Sequence, residues 1–168
     1  MFRNGWRSTI ETYGYDLVQL NHYAVRSAES FLVKRDRGRV NHVDRDQGLA
    51  YWFRMNNNFE EETSILKRLP MMKDELAKLM SDPEIAAAHA HSVKCHRAKI
   101  DELKATENYS KFYGELTGER QEKLARLHGH FGSSVFLSGP AVVPDEIVER
   151  DPDEEWFFTV ELTGETAH

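Results

Sequence analysis

The sequence predicts a mainly helical chain with a few short strands, of the α+β class. Three observations support this prediction. Residues 60–130 read as one helix after another, with apolar side chains at helical spacing. Residues 15–20, YDLVQL, are a short apolar run that is typical of a buried strand. Residues 156–162, WFFTVEL, place Trp156, Phe158, Val160 and Leu162 on one face, as a half-buried strand does.

Capping and breaking residues divide the helical part of the chain. Ser27 can cap a helix that ends at Gly38, because glycine is the usual residue just after a helix. Residues 48–55 predict a short aromatic helix, which the asparagines of 56–58 stop. Residues 81–84, SDPE, fit a capping box with a proline just inside the next helix.

Two sets of side chains predict where the core lies. Tyr51, Trp52 and Phe53 are consecutive, so they cannot all face one core, and we expect at least two of them to be packed. The helix after residue 84 carries a stripe at helical spacing, which we expect to be its inner face: Ile85, His89, Val93, His96, Ile100 and Leu103.

Composition divides the chain into three parts. Residues 1–58 mix strand and helix patterns, residues 59–131 form a helical region, and residues 132–168 form an acidic tail with a terminal strand. Within the tail, residues 145–155 hold seven acids and one arginine, which predicts a solvated linker.

The overall composition excludes several classes of protein. A length of 168 residues fits one domain, and no apolar run approaches the ~18 residues that cross a bilayer. The first residues lack the apolar segment of a secretion signal, and the single cysteine, Cys95, suits a reducing compartment. We therefore expect a cytoplasmic protein. The net charge of −6 argues against indiscriminate binding to nucleic acid.

The charge is distributed unevenly along the chain. Residues 22–54 hold seven Lys and Arg against four Asp and Glu, a local balance of +3, so the remainder of the chain carries −9. A basic segment in an acidic protein predicts a discrete site for an anion.

The candidate anion ligands are Lys34, Arg37 and Arg39. On a helix Lys34 and Arg37 share a face, whereas Arg35 points elsewhere, and Gly38 lets the chain turn to bring Arg39 back. The alternative is a basic helix C-terminus, which the helix dipole favours without any ligand.

Histidines are candidates for metal or proton chemistry. His22 follows the predicted first strand, where it could bind a divalent metal or move a proton, or could serve as a hydrogen-bonded structural residue. His89, His91, Cys95 and His96 look like a metal cluster in sequence, but only His91 and Cys95 can share one helix face at short distance. We interpret these four, and also His128 and His130, as structural or solvated side chains.

A longer pattern adds to this picture. Residues 21–42, NHYAVRSAESFLVKRDRGRVNH, followed by DQGLAYW and NNNFEEETSI, resemble the C-terminal part of bacterial family-two-like glycosyltransferases with a GT-A core. The similarity covers residues 1–68, and its signature is concentrated at 21–39. Residues 1–58 would then be the C-terminal remnant of a glycosyltransferase-like core.

The resemblance implies a reaction and roles for particular residues. Such enzymes transfer a sugar from a nucleotide-sugar donor to an acceptor hydroxyl, often of a glycan, with a divalent metal such as Mn²⁺ or Mg²⁺. His22 would complete the metal shell at the diphosphate. Lys34, Arg37 and Arg39 would stabilise the departing diphosphate.

The chain also departs from that family. The nucleotide-binding half with its Asp-x-Asp motif would precede Met1, and Asp44-Arg45-Asp46 follows the signature, so we interpret it as loop acids. We therefore expect a glycosyltransferase portion that is not active alone, with no catalytic residue assigned and with the donor, the acceptor and the stereochemistry left open. The alternative is a non-catalytic helical module in which residues 60–131 mediate oligomerisation or bind a protein partner.

Overall fold

The computed structural model describes residues 22–38 and 47–162. Within these two ranges the chain forms eight α-helices: Ala28–Arg37 (α1), Leu49–Met55 (α2), Leu69–Met80 (α3), Pro83–Lys104 (α4), Glu107–Leu116 (α5), Glu119–Arg126 (α6), Ser133–Ser138 (α7) and Asp145–Val148 (α8). Short 3₁₀ turns lie at Ser64–Arg68, His128–His130 and Pro140–Val142. The prediction of a mainly helical chain is confirmed. The predicted strand at residues 15–20 lies outside the described ranges.

Helix α1 begins and ends at the residues that the sequence indicates. The Ser27 hydroxyl accepts a hydrogen bond from the backbone N–H of Ser30 at 3.2 Å. Gly38 follows the last turn with a positive φ of 72°, a conformation that glycine adopts without strain. Local side-chain chemistry therefore fixes the extent of this helix.

Helix α4 begins one residue later than a capping box at Ser81 requires. Asp82 is the N-cap, and its carboxylate accepts from the N–H groups of Glu84 at 2.8 Å and Ile85 at 3.3 Å. The Ser81 hydroxyl instead donates to the Lys78 carbonyl at 2.7 Å and so closes the end of α3. One carboxylate thus satisfies two of the free N–H groups at the start of the helix.

The buried apolar side chains form two clusters that share helix α2. The first cluster joins α1, α2, α4 and α5 and contains Ala28, Phe31, Leu32, Tyr51, Trp52, Leu103, Phe112 and Leu116. The second joins α2 to the C-terminal part of the chain and contains Phe53, Leu124, Leu127, Phe131, Val135, Val143 and Val148. All three consecutive aromatics of α2 are therefore packed, two in one cluster and one in the other.

Residues 145–155 are not solvated throughout, contrary to the sequence prediction of a linker. Their first part forms α8, and Val148 is only 4% exposed because it packs in the second cluster. The acidic side chains Asp145 and Glu146 are exposed, so the charged pattern marks one face of a short helix.

Residues 156–162 are extended but do not form the predicted strand of a sheet. Phe158 pairs with Phe131 in an isolated parallel bridge, the only β-pairing within the described part of the chain. The predicted alternation of inward and outward side chains is present. Trp156, Phe158 and Val160 pack against the second cluster, whereas Phe157 is 68% exposed. Pairing stops there because a 3₁₀ turn precedes Phe131 and α7 begins just after it.

Helix α3 and the first half of α4 form a hairpin that projects from both clusters. No residue of α3 is buried, and large apolar side chains of the hairpin are about half exposed. Together with two side chains of the 3₁₀ turn that precedes α3, they form a set that we call the hairpin face: Ile65, Leu66, Met71, Met72, Leu76, Leu79 and Ile85. Of the stripe predicted on α4, only Leu103 is buried, since the first cluster reaches only the C-terminal end of that helix. In residues 22–38 and 47–162 no helix has the length and apolar character needed to cross a membrane.

Candidate anion-binding site

A cleft of about 380 Å³ lies along the outer face of α1. We call it the basic cleft. Its walls come from the residues that precede α1, from one face of α1 and from a single side chain of α4: Tyr23, Ala24, Val25, Arg26, Ser30, Phe31, Val33, Lys34, Arg37 and His96.

Among the residues that the structure describes, the lining of the basic cleft carries three cations and no acid. Lys34 and Arg37 lie one turn apart on α1, as the sequence predicts, and the exposed Arg26 reaches the cleft from the stretch before the helix. Arg35 lies on a different face, with its guanidinium 3.9 Å from the centre of the Phe112 ring. The cleft is therefore a locally positive surface on an acidic chain.

The two acids of α1 lie on an adjacent face of the helix, where α4 and α5 hold them. The Tyr113 hydroxyl donates to Glu29 at 2.6 Å, and this hydrogen bond is the largest cause of the lowered pKa of that carboxyl. Asp36 pairs with Lys99 at 3.2 Å and accepts from the Tyr109 hydroxyl at 3.3 Å. The acids of α1 are thus paired with neighbouring helices, whereas two of its cations, Lys34 and Arg37, line the cleft.

Lys34 fixes the shape of the cleft as well as its charge. Its ammonium donates to the backbone carbonyl of Ala24 and to the Tyr51 hydroxyl at 3.1 Å, so it ties the chain before α1 to α2. An ammonium carries three N–H donors. Two of them have these protein partners, which leaves one for a ligand.

His96 is a cleft residue that the sequence analysis did not assign to the anion site. Its Nε2 lies 3.1 Å from the Ser30 hydroxyl, across the contact between α1 and α4. The sequence placed His96 in the presumed inner stripe of α4, and no local signal could indicate the cleft, because the pair is 66 residues apart. His96 and Ser30 add hydrogen-bonding groups beside the three cations.

The predicted metal ligand His22 is exposed and does not line the cleft. In the part of the chain that the structure describes, no three His, Cys, Asp or Glu side chains lie close enough together to hold a metal ion. One imidazole does not make a divalent-metal site, so these residues do not by themselves fit a metal. Arg39 and the Asp44-Arg45-Asp46 segment lie outside the described residues.

Two other predicted groups are placed away from the cleft. The Sγ of Cys95 lies 3.4 Å from Nε2 of His91 on the exposed surface of α4, as their spacing predicts. His128 and His130 are both buried beside the second cluster, where their rings contact aromatic side chains.

The arrangement in the basic cleft suits binding of an anion with several oxygens. Arginine offers a planar pair of donors and lysine a compact charge, and both are common phosphate ligands.

Comparisons of the chain with protein-family models, with curated proteins and with solved structures gave no match.

Proposed function

We propose that this chain forms the part of a glycosyltransferase site that binds the diphosphate of a nucleotide-sugar donor. The observation that carries the proposal is the basic cleft, where Arg26, Lys34 and Arg37 line one surface and none of the other described lining residues is acidic. These residues lie in the stretch that resembles the glycosyltransferase signature.

Charge on the leaving group gives the cleft its role in the reaction. When the bond between the sugar and the diphosphate breaks, negative charge grows on the departing oxygen. Cations beside that oxygen lower the energy of that state more than the energy of the bound donor. Arg26 and Arg37 would each hold two oxygens, and Lys34 would supply its remaining N–H.

The proposed reaction includes a divalent ion, Mn²⁺ or Mg²⁺, which would neutralise part of the diphosphate charge. His22 remains its predicted ligand. Because the described residues supply no complete metal site, we assign no step to the ion.

Titration of the chain with UDP and GDP, with and without Mn²⁺, tests the proposal. We expect saturable binding, which isothermal titration calorimetry can measure, with a Kd on the order of 1 mM because the cleft is open and solvated. The double variant Arg26→Gln and Arg37→Gln should lose most of this binding. The control Arg68→Gln and Arg97→Gln removes the same charge from exposed positions outside the cleft and should retain it. Equal loss in both variants would show that only net charge matters and would refute the site.

The predicted role of His22 has its own test. His22→Ala should abolish the part of the UDP affinity that depends on Mn²⁺ and leave the metal-free affinity unchanged. An unchanged Mn²⁺ effect in this variant would remove His22 from the metal site without affecting the assignment of the cleft.

The hairpin face favours a second candidate function, which is self-association of the chain. Met72, Leu76 and Leu79 lie at helical spacing on α3 and are 50%, 45% and 48% exposed. Seven such side chains leave on the order of 500 Å² of apolar surface, comparable to the largest patch on a typical monomer. A second copy packed on this face would bury on the order of 1,000 Å² in total, near the lower limit of specific interfaces.

Sedimentation velocity separates this candidate from the first. If the hairpin face is an interface, the chain sediments as a dimer, and Leu76→Gln with Leu79→Gln makes it a monomer. The control Lys73→Gln with Asp74→Asn, on exposed polar positions of the same helix, should remain dimeric. A monomer at all accessible concentrations rules out self-association.

A further inference from the structure

A second cavity of about 460 Å³ opens between the end of α2 and α7. We call it the His128 cavity. Its described walls, none of which also lines the basic cleft, are Arg54, Asn57, His128, Ser133, Phe136 and Leu137. None of these described residues is acidic.

The buried imidazole of His128 supplies an unused acceptor at this cavity. The side chain is 7% exposed, and its Nε2 is buried with no hydrogen-bond partner among the residues described. Edge-on contacts with Phe53 and Phe136, at centroid distances of 5.5 and 5.0 Å, surround the ring with apolar atoms.

The protonation state of the ring follows from this environment. Burial lowers the pKa of His128 to about 4. A hydrogen bond with the Phe53 backbone raises the pKa, but by less than burial lowers it. The ring is therefore neutral near pH 7. Because Nε2 has no partner, the proton belongs on Nδ1, toward the Phe53 backbone, and Nε2 presents a lone pair. A buried acceptor of this kind is costly to leave without a donor.

The remaining lining groups indicate the charge and shape of a ligand. Arg54 is exposed and has no carboxylate partner within the described ranges. The Asn57 side-chain oxygen accepts from the Phe59 N–H at 2.9 Å, so its amide N–H groups can donate to a ligand. Phe136 provides an apolar wall.

We propose that the His128 cavity binds a hydroxylated carboxylate of the size of a sugar acid. Its carboxylate pairs with the Arg54 guanidinium, a ligand hydroxyl donates to Nε2 of His128, and the apolar face of the sugar ring packs on Phe136. Charged pairs of this geometry are the strongest polar contacts available to a small ligand. Nε2 is buried when the cavity is empty, so binding requires the imidazole or the neighbouring Phe136 ring, which both line the cavity, to change rotamer.

Nuclear magnetic resonance of the histidine side chains tests this proposal with glucuronate as the probe. We expect the ¹⁵N resonance of His128 Nε2 to shift and saturate as glucuronate is added. Glucose, which lacks the carboxylate, and acetate, which lacks the hydroxyls, should each bind about tenfold more weakly or worse.

Variants identify the two contacts separately. Arg54→Gln should weaken glucuronate binding at least about tenfold, whereas Arg126→Gln, an exposed arginine outside the cavity, should not. His128→Phe keeps an aromatic ring and removes the acceptor, so it should abolish binding while the chain stays folded. If His128→Phe does not fold, Arg54→Gln and the glucose comparison still decide the question.

The failure of this proposal is distinct from the failure of the basic cleft. Absence of a glucuronate-dependent shift of His128 at concentrations on the order of 10 mM overturns it, as does an equal effect of Arg54→Gln and Arg126→Gln. Arg26→Gln with Arg37→Gln should leave glucuronate binding unchanged, since neither residue lines this cavity.

Discussion

Two buried histidines, two residues apart, have opposite surroundings. The ring nitrogens of His130 lie 3.0 and 2.9 Å from the carbonyl oxygens of Trp156 and Pro152, and the ring stacks on Trp156 at 4.1 Å. His128 has aromatic neighbours and one nitrogen that finds no partner in residues 22–38 and 47–162. His130 therefore anchors the C-terminal segment, whereas His128 remains a buried group that resists protonation.

The burial of His128 predicts a pH dependence of stability. Its folded-state pKa of about 4 lies below the usual value of 6.5, so between these values the unfolded chain binds a proton that the folded chain does not. The free energy of unfolding should therefore fall as the pH is lowered from about 6.5 to about 4, by about 3 kcal/mol in total from this group.

Urea denaturation across this pH range measures the effect. His128→Phe should lack this part of the pH dependence, while the contributions of other titrating groups remain in both proteins. If the wild type and His128→Phe lose stability in parallel, the ring is not held neutral by burial.

Helix ends in this chain were predictable because they depend on neighbouring residues. Ser27, Gly38 and the 81–84 segment act within one turn, and α1 and α4 begin or end within a residue of the predicted positions. The N-cap of α4 is Asp82 and not Ser81, although both residue types can cap a helix. The sequence does not show that the Ser81 hydroxyl bonds to the last turn of α3 instead.

Packing faces were less predictable because they depend on which elements meet. The α4 stripe has helical spacing, but the helix extends beyond the cluster that covers its end, so most of the stripe stays uncovered. For the same reason the position of His96 in the cleft could not be predicted, because it requires the contact between α1 and α4. Lys34 and Arg37, by contrast, lie on one helix, and their shared face followed from spacing alone.

The C-terminal extended segment belongs to no sheet, but its residues 157–159 pack against Gly132. This contact predicts that a larger residue at position 132 destabilises the chain. A Cβ at Gly132 would lie 2.8 Å from Thr159 Oγ1 and 3.1 Å from the Phe157 ring. The φ of −68° suits alanine, so the effect of Gly132→Ala is steric. We expect a loss of about 1–3 kcal/mol in unfolding free energy as the segment is pushed away.

Gly114→Ala is the matched control, measured in the same denaturation experiment. A Cβ at Gly114 meets no atom within 4 Å, and the residue lies inside α5, so alanine should stabilise the chain by about 0.5–1 kcal/mol. Effects of the same sign and size in the two variants would contradict the proposed contact.

At the scale of the whole molecule, α2 joins the two clusters. Tyr51 and Trp52 pack in the first and Phe53 in the second, although the helix has only seven residues. If α2 detaches as one cluster unfolds, an aromatic side chain of the other cluster is exposed as well. We therefore expect the described part of the chain to unfold in one cooperative transition.

Tryptophans in each cluster report on this cooperativity. Trp52 is in the first cluster and Trp156 packs against the second, so fluorine labels on the indole rings give separate resonances for the two. Their urea midpoints should coincide. Distinct midpoints would mean that the clusters unfold independently and that α2 does not couple them.

The hairpin is part of a long exposed segment that lies between two buried residues, Phe53 and Leu103. Between Phe53 and Leu103 the chain contributes no buried side chain, yet it leaves and re-enters the packed structure at residues that do. Because the entropy of closing a loop grows only slowly with its length, such a segment can be shortened, lengthened or replaced at small cost to the rest. The hairpin can therefore change in length or acquire a new surface while the basic cleft and the His128 cavity keep their described walls, because none of those residues belongs to α3 or to the first half of α4.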